Sequence, residues 1–266
     1  MKNHINSAAR ILIVVPHFFN VEENKPMMFG SHETKNIKNR RKIVENSNSR
    51  LLEELRTLEV DFEVVYLGLK NNSLMPLQAY VESDDPRYLP WLACDYAFSN
   101  IDDYDFICIL EDDLEIEFGT LKQLLHFQSS LDMNTTLIPN RIEVFEGIRY
   151  CTDLIAMPGW KGPKFEIGDL TVREPVNIHS GFLFLGREKF KKAYQERPFE
   201  KPTKIIGDYM ASAFANIHAY LRVVRAVPLS SKITVIHHDN WVQRMIENQK
   251  LNEDEARLLI RETLLD

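Results

Sequence analysis

The sequence predicts an α/β fold in one domain, with a mostly parallel central sheet flanked by helices. Three observations lead there. The short apolar runs "ILIVV" (11–15), "FEVVYL" (62–67) and "DFICIL" (105–110) have the length and continuity of strands covered on both faces. Segments with helical spacing alternate with them, as a strand–helix–strand path requires. The 266 residues show no low-complexity linker and no repeat, and 44% are hydrophobic, enough for one sizeable core.

Taken in order, the first run stops at Pro16. After a polar stretch, "NSRLLEELRTLE" places Leu51, Leu52, Leu55 and Leu58 on one helical face. The second run follows, then "YLPWLACDYAFSN" (88–100), helical beyond Pro90, and then the third run. "LKQLLHF" (121–127) begins another helix. In the second half, "TTLIPNRIEVF" predicts one or two strands, and "MPGWKGPKFEIGD", rich in Pro and Gly, predicts a loop. "GFLFLG" (181–186) reads as a strand between glycines, and "DYMASAFANIHAYL" sets Met210, Ala213, Phe214, Ile217 and Leu221 at helical spacing. "ITVI" (233–236) is a final strand, and an acidic helical tail runs to Asp266. The basic stretch "KNIKNRRK" (35–42) reads as a solvated loop or helix face, with phosphate binding as the alternative.

Charge and cysteine content narrow the function. Thirty-two basic residues against 39 acidic ones give a net charge of −7, which argues against non-specific nucleic-acid binding. The three cysteines, Cys94, Cys108 and Cys151, are far apart and lack metal-ligand spacing, so they read as buried thiols in a reducing, cytoplasmic setting. The opening "MKNHINSAAR" is polar and predicts no secretory signal. No apolar run approaches the ~20 residues of a membrane helix, although peripheral membrane contact is compatible with the sequence.

One stretch carries chemistry. "ICILEDDLEIE" (107–117) drives a buried strand into Glu111, Asp112 and Asp113. Ligands of open parallel sheets bind at the carboxyl ends of the strands, which is where this trio falls. Crowded carboxylates raise one another's pKa, and a divalent cation such as Mg²⁺ or Mn²⁺ relieves the repulsion and can hold a diphosphate. The competing reading is a solvated acidic turn that starts a helix near Thr120.

The segment "YDFICILEDDLEI" resembles the metal-binding segment of GT-A-fold glycosyltransferases, whose variable Asp-x-Asp (DXD) motif follows a central strand. The form Glu-Asp-Asp-Leu-Glu is most similar to the N-acetylglucosaminyltransferase I family, and the similarity extends through the preceding "RYLPWLACDYAFSN", over about residues 87–125. The resemblance implies a GT-A-like (Rossmann-like) sheet. It divides the domain into a nucleotide-sugar-binding half (1–125), an acceptor and catalytic half (126–245) and a helical tail (246–266). It also implies that Asp113 ligates the metal, that Asp112 lies against the ribose or metal shell, and that Glu111 faces the donor sugar's hydroxyls. "VVPHFFN" is similar to a nucleotide-lining first strand and loop, which makes Pro16, His17 and Asn20 candidates. "NIHSGFLFLG" is similar to the pocket-floor strand, with His179 and Ser180 as sugar or phosphate contacts and Gly181 permitting close approach. In "IIGDYMASAF", Asp208 matches the family's catalytic base and also suits a helix N-cap. "ITVIHHDN" offers His237 and His238 as a further metal or diphosphate ligand; adjacent strand residues point apart, so at most one serves.

The resemblance implies a metal-dependent, inverting glycosyltransferase acting from a nucleotide-diphosphate sugar, UDP foremost, on a glycan, lipid-linked or protein acceptor. Trp160 is a candidate for stacking on a sugar face or for lid packing. The sequence departs from the family pattern in two places: no acidic residue follows the second strand, and residues 21–48 have no counterpart. A nucleotidyltransferase of related fold and a non-catalytic nucleotide- or glycan-binding protein are the alternatives. The former usually carries a glycine-rich loop after its first strand, and "PHFFNVEENK" has no glycine.

Overall fold

The computed structural model describes residues 9–19, 37–83, 85–198, 200, 213–227, 233–238 and 241–247. The chain begins with β1 (Arg10–His17), helix α1 (Ile37–Arg56), β2 (Asp61–Gly68) and the two-residue β3 (Ala79–Tyr80). Helix α2 (Leu89–Ser99) leads into β4 (Phe106–Leu110), β5 (Leu114–Ile116) and helix α3 (Thr120–Gln128). Next come β6 (Thr135–Leu137), β7 (Asn140–Phe145), β8 (Ile148–Cys151), the short helix α4 (Thr152–Ala156), β9 (Trp160–Ile167) and β10 (Leu170–Pro175). The path then runs through β11 (Phe182–Gly186), α5 (Arg187–Gln195), α6 (Ala213–His218), β12 (Arg222–Ala226), β13 (Thr234–His237) and α7 (Trp241–Glu247).

The three apolar runs form the centre of a five-stranded sheet in the order β11-β4-β1-β2-β3. β1 pairs in parallel with β2 and β4, β2 in parallel with β3, and only β11 runs antiparallel, against β4. Both faces are covered, which is why these strands show no polar alternation. On one face Ile11, Ile13, Val15, Cys108, Leu110 and Phe184 pack with Leu51 and Leu55 of α1 and Leu121 and Leu124 of α3. On the other, Leu12, Val14, Ile107, Ile109 and Leu185 pack with Trp91 and Ala97 of α2, Phe190 of α5 and Phe214 of α6. The predicted α/β layering is therefore the observed one.

Two smaller mixed sheets complete the structure, β6-β12-β10-β9 and β5-β13-β7-β8. "TTLIPNRIEVF" makes two strands, β6 and β7, separated at Ile138 and Pro139. The segment around Trp160 is a correction: the Pro/Gly-rich stretch expected to be a loop forms β9, paired antiparallel with β10. Its glycines do not break the strand, because Gly162 (φ 82°) adopts a left-handed conformation within it and Gly168 (φ 62°) makes the turn.

Helix α1 is tied to the region beyond the acidic trio. Gly119, at the start of α3, has no capping side chain; Glu54 of α1, almost fully buried, accepts hydrogen bonds from the N–H of Gly119 (2.9 Å) and of Leu121 (3.0 Å). A carboxylate at a helix N-terminus satisfies orphan donors and complements the helix dipole. The last turn of α1 is thereby tied to the start of α3, while Arg40, in its first turn, contacts Asp112 and Asp113. Among the described residues no helix is long and apolar enough to cross a membrane.

Candidate active site

β4 ends at Leu110, and a turn closed by the Leu114 N–H on the Glu111 carbonyl (3.1 Å) separates it from β5. This turn splits the acidic trio between two environments.

Asp112 faces β1 and α1. Its Oδ2 meets His17 Nδ1 at 2.6 Å, and its Oδ1 accepts from Arg40, whose other terminal nitrogen lies 3.5 Å from Asp113 Oδ2. His17 Nε2 accepts the Leu74 backbone N–H (2.9 Å), so in the neutral ring the proton sits on Nδ1 and is donated to Asp112. Burial pushes the Asp112 carboxyl up, but the Arg40 charge and the His17 hydrogen bond outweigh it and hold the group below the usual carboxylate range. His17 is 0% exposed, with one ring nitrogen engaged by Asp112 and the other by the Leu74 N–H. Pro16 is likewise buried, in register with Leu67.

Glu111 and Asp113 face the other way, toward β13. Glu111, Asp113 and His237 each present one ligand atom, and the three atoms lie within 4.8 Å of one another. Strand pairing accounts for the convergence: His237 pairs with Leu114, the residue after Asp113, and β13 lies between β5 and β7. Burial raises the Glu111 carboxyl to about 7, reinforced by the Asp113 charge and partly offset by Arg141 and His237. Among the described residues Asp113 Oδ1 is buried with no hydrogen-bond partner. His238 points elsewhere, its Nε2 lying 3.2 Å from Glu115 Oε2, so of the two histidines it is His237 that joins the acids.

Gly181 makes room for this arrangement. The Glu111 N–H donates to the Gly181 carbonyl (2.9 Å), and a Cβ placed on Gly181 would sit 2.2 Å from Glu111 Oε2. Ser180 is fully buried, and its Oγ accepts the Phe182 N–H (3.1 Å), so it shapes the turn that opens β11. His179 is half-buried; burial drives its imidazole down to about 3, with Arg141 adding to the effect, so it is neutral at physiological pH.

Beneath these residues lies an ion cluster with no obvious sequence signal. Asp153 pairs with Arg141 (2.7 Å) and Arg225 (2.7 Å), and Arg225 also donates to the carbonyls of Pro139 (2.7 Å) and His179 (2.9 Å). Burial would raise the Asp153 carboxyl, but the two guanidiniums reverse this and hold it low. The Arg141 charge reaches beyond the cluster and lowers the pKa of both the Glu111 carboxyl and the His179 imidazole.

Arg40, Glu143 and this cluster were not singled out as site residues. Arg40 belongs to the basic stretch expected to be solvated, yet it contacts two of the three acids. Only a charged residue at an inward position of a strand, as in "RIEVF" and "RVVRA", could have signalled the others. Trp160 stands at the start of β9 with the Arg173 guanidinium 5.5 Å from its ring centroid. Asn20 and Asp208 lie outside the described residues.

Compared by sequence, the chain matches no family model and no curated protein. Solved structures that resemble it include a protein from Desulfovibrio desulfuricans G20 described as a nucleotide-diphospho-sugar transferase (TM-score 0.40, 13% identity, 97% of this chain and 99% of that one). Residues 1–349 of S. aureus TarS match with TM-score 0.42 and 15% identity over 97% of this chain and 70% of that one. The 4-diphosphocytidyl-2C-methyl-D-erythritol synthase of Anaerococcus prevotii DSM 20548 matches with TM-score 0.36 and 9% identity over 96% of each. At these levels of likeness, the functional reading rests on the site.

Proposed function

We propose that this chain is a metal-dependent, inverting glycosyltransferase of GT-A type that moves a sugar from a nucleotide-diphosphate donor, UDP-sugar first among them, to a hydroxyl acceptor. The observation that carries the reading is the convergence of Glu111, Asp113 and His237 beyond the carboxyl end of β4, with one Asp113 oxygen buried and bare. The similarity of residues 87–125 to the metal-binding segment of that fold supports it. Two carboxylates and one imidazole form a donor set that suits Mn²⁺ better than the all-oxygen preference of Mg²⁺. When bound, the cation would neutralise charge that grows on the departing diphosphate.

The chain's own residues divide the remaining work. Asp113 and His237 hold the cation, and Glu111, over Gly181, completes the set. Asp112, fixed by His17 and Arg40, anchors the turn that carries its neighbours. His179, neutral, faces the donor as a hydrogen-bonding group. Asp208 accepts the acceptor hydroxyl's proton while that oxygen attacks the anomeric carbon from the face opposite the diphosphate. The carbon–oxygen bond to the diphosphate breaks in the same displacement, which inverts the centre. Holding donor and acceptor in line contributes roughly 7–11 kcal/mol in favourable cases.

A thermal-shift screen of nucleotide sugars with and without Mn²⁺, followed by assay of free nucleotide release, tests the reading. Stabilisation by a UDP-sugar only with metal, and release of UDP, are expected. Asp113→Ala should lose metal-dependent donor binding, and Asp208→Asn should bind donor like the parent and fail to transfer. Donor and Mn²⁺ binding by Asp113→Ala at parent affinity refutes the site. Consumption of a nucleoside triphosphate with release of pyrophosphate would instead identify a nucleotidyltransferase.

A further inference from the structure

Glu143 lies on β7, next to the strand that carries His237, and is only 3% exposed. Its Oε1 lies 2.8 Å from His237 Nδ1, and its Oε2 accepts the Val242 N–H at 2.7 Å, in the first turn of α7. A buried carboxylate is costly unless its oxygens are engaged, and here both are. The two contacts fix the rotamer from opposite sides: one oxygen is held by the helix, which leaves the other aimed at the imidazole.

We propose that Glu143 is a positioning residue that sets the tautomer and orientation of His237, so that Nδ1 carries the proton and Nε2 presents its lone pair to a metal held with Glu111 and Asp113. The inference rests on the metal reading above and deepens it. The carboxylate accepts only, so a neutral His237 must donate to it from Nδ1, which leaves Nε2 as the nitrogen open to a ligand. Carboxylates behind metal-ligating histidines act in this way and raise the ligand's basicity. Capping α7 alone does not explain the arrangement, because a Ser, Thr or Asp preceding the helix would supply the cap without a buried charge from a neighbouring strand. A cavity of about 150 Å³ is lined by Glu143, His237, His238 and Gln243, on the Glu143 side of the imidazole.

The first test uses the parent chain, free of metal, at alkaline pH where the imidazole is neutral. Nitrogen-15 NMR of His237 should show the Nδ1–H tautomer. The Nε2–H tautomer overturns the proposal without reference to any variant. The second test compares Glu143→Leu with the parent. Its His237 should lose the single-tautomer signature and its Mn²⁺ affinity, by calorimetry, should fall about 10–100-fold. A lower melting temperature with unchanged tautomer and unchanged Mn²⁺ affinity would make Glu143 a helix cap only. If the parent itself binds no Mn²⁺, the metal reading fails, an outcome separate from a parent that binds and a Glu143→Leu variant that binds equally well.

Discussion

Gly181→Ala probes the acidic site without touching any ligand. The backbones of Glu111 and Gly181 are joined by a 2.9 Å hydrogen bond, and β4 and β11 pair immediately beyond, from Leu110 and Phe182 onward, so the two segments cannot simply separate. The added methyl would lie 2.2 Å from Glu111 Oε2 and 2.8 Å from its Cδ, whereas ordinary contact begins at 3.4 Å. Relief therefore requires the carboxylate to move by about 1.2 Å, the difference between 3.4 Å and 2.2 Å. Gly181 does not have a positive φ, so alanine brings no backbone strain of its own. The expected stability loss is that of a mildly overpacked core, about 1–3 kcal/mol. Displacing one of three ligands should weaken Mn²⁺ binding by at least tenfold, about 1.4 kcal/mol. Isothermal calorimetry and urea unfolding read the two effects separately. Adding Glu111→Asp, one methylene shorter, should recover part of the lost stability non-additively, because the two sites share a contact. A Gly181→Ala protein that binds Mn²⁺ with the parent's affinity would show that the Glu111 carboxylate is not part of a metal site.

Two predictions concern the surroundings. Arg40→Gln removes the cation from a buried carboxylate and should cost about 3–5 kcal/mol in urea unfolding. Because the folded Asp112 pKa lies below its unfolded value, the stabilisation is complete above about pH 4 and is lost as pH falls through the lower folded value. Arg40→Gln raises the folded Asp112 pKa toward or above the unfolded value, so its unfolding free energy should fall less than the parent's below about pH 4 and the gap between the two should narrow on acidification; parallel curves of stability against pH would contradict the pairing. Lys189, buried with its ammonium 2.6 Å from the Thr135 carbonyl, has its pKa lowered by burial to about 8. The unfolded chain then binds the extra proton between about 8 and the ordinary 10.5, so this group makes stability rise with pH across that window. Comparing the urea midpoints of the parent and Lys189→Met from pH 8 to 10.5 isolates it from the tyrosines and cysteines, and parallel curves would refute the burial.

The central sheet was legible because its strands are continuous apolar runs, which only a sheet covered on both faces produces. The acidic turn was legible for the same reason: Leu110 is the last apolar residue of such a run, and the charge begins at once. β9 was not, because its glycines and Pro163 mimic a loop; only pairing with β10 reveals the strand. The partition of the trio was also hidden. It depends on a turn at 111–114 and on Arg40, 72 residues from Asp112 in sequence, brought back by a helix whose charged face looks solvated. His237 and His238 were resolvable in principle, since neighbours on a strand point apart, but choosing between them required knowing that β13 lies between β5 and β7.

The environments of the three acids also argue against a merely solvated turn. In such a turn each carboxylate would be hydrated and ionised near its ordinary pKa. Here the crowding is relieved in separate ways: Asp112 by a guanidinium and an imidazole, and Glu111 by holding its proton up to about 7. Among the described residues Asp113 has the Arg40 guanidinium at 3.5 Å from one oxygen, while its other oxygen is buried with no hydrogen-bond partner. A divalent cation between Glu111, Asp113 and His237 would satisfy that oxygen and draw the proton from Glu111 in one step, which protein groups alone do not do here. The consequence is measurable, because Mn²⁺ binding near pH 6 should release more protons than at pH 8: Glu111, with a pKa of about 7, and His237, whose pKa is also raised, carry displaceable protons chiefly at the lower pH. Equal proton release in buffers of both pH values would show that neither group carries a proton for the cation to displace.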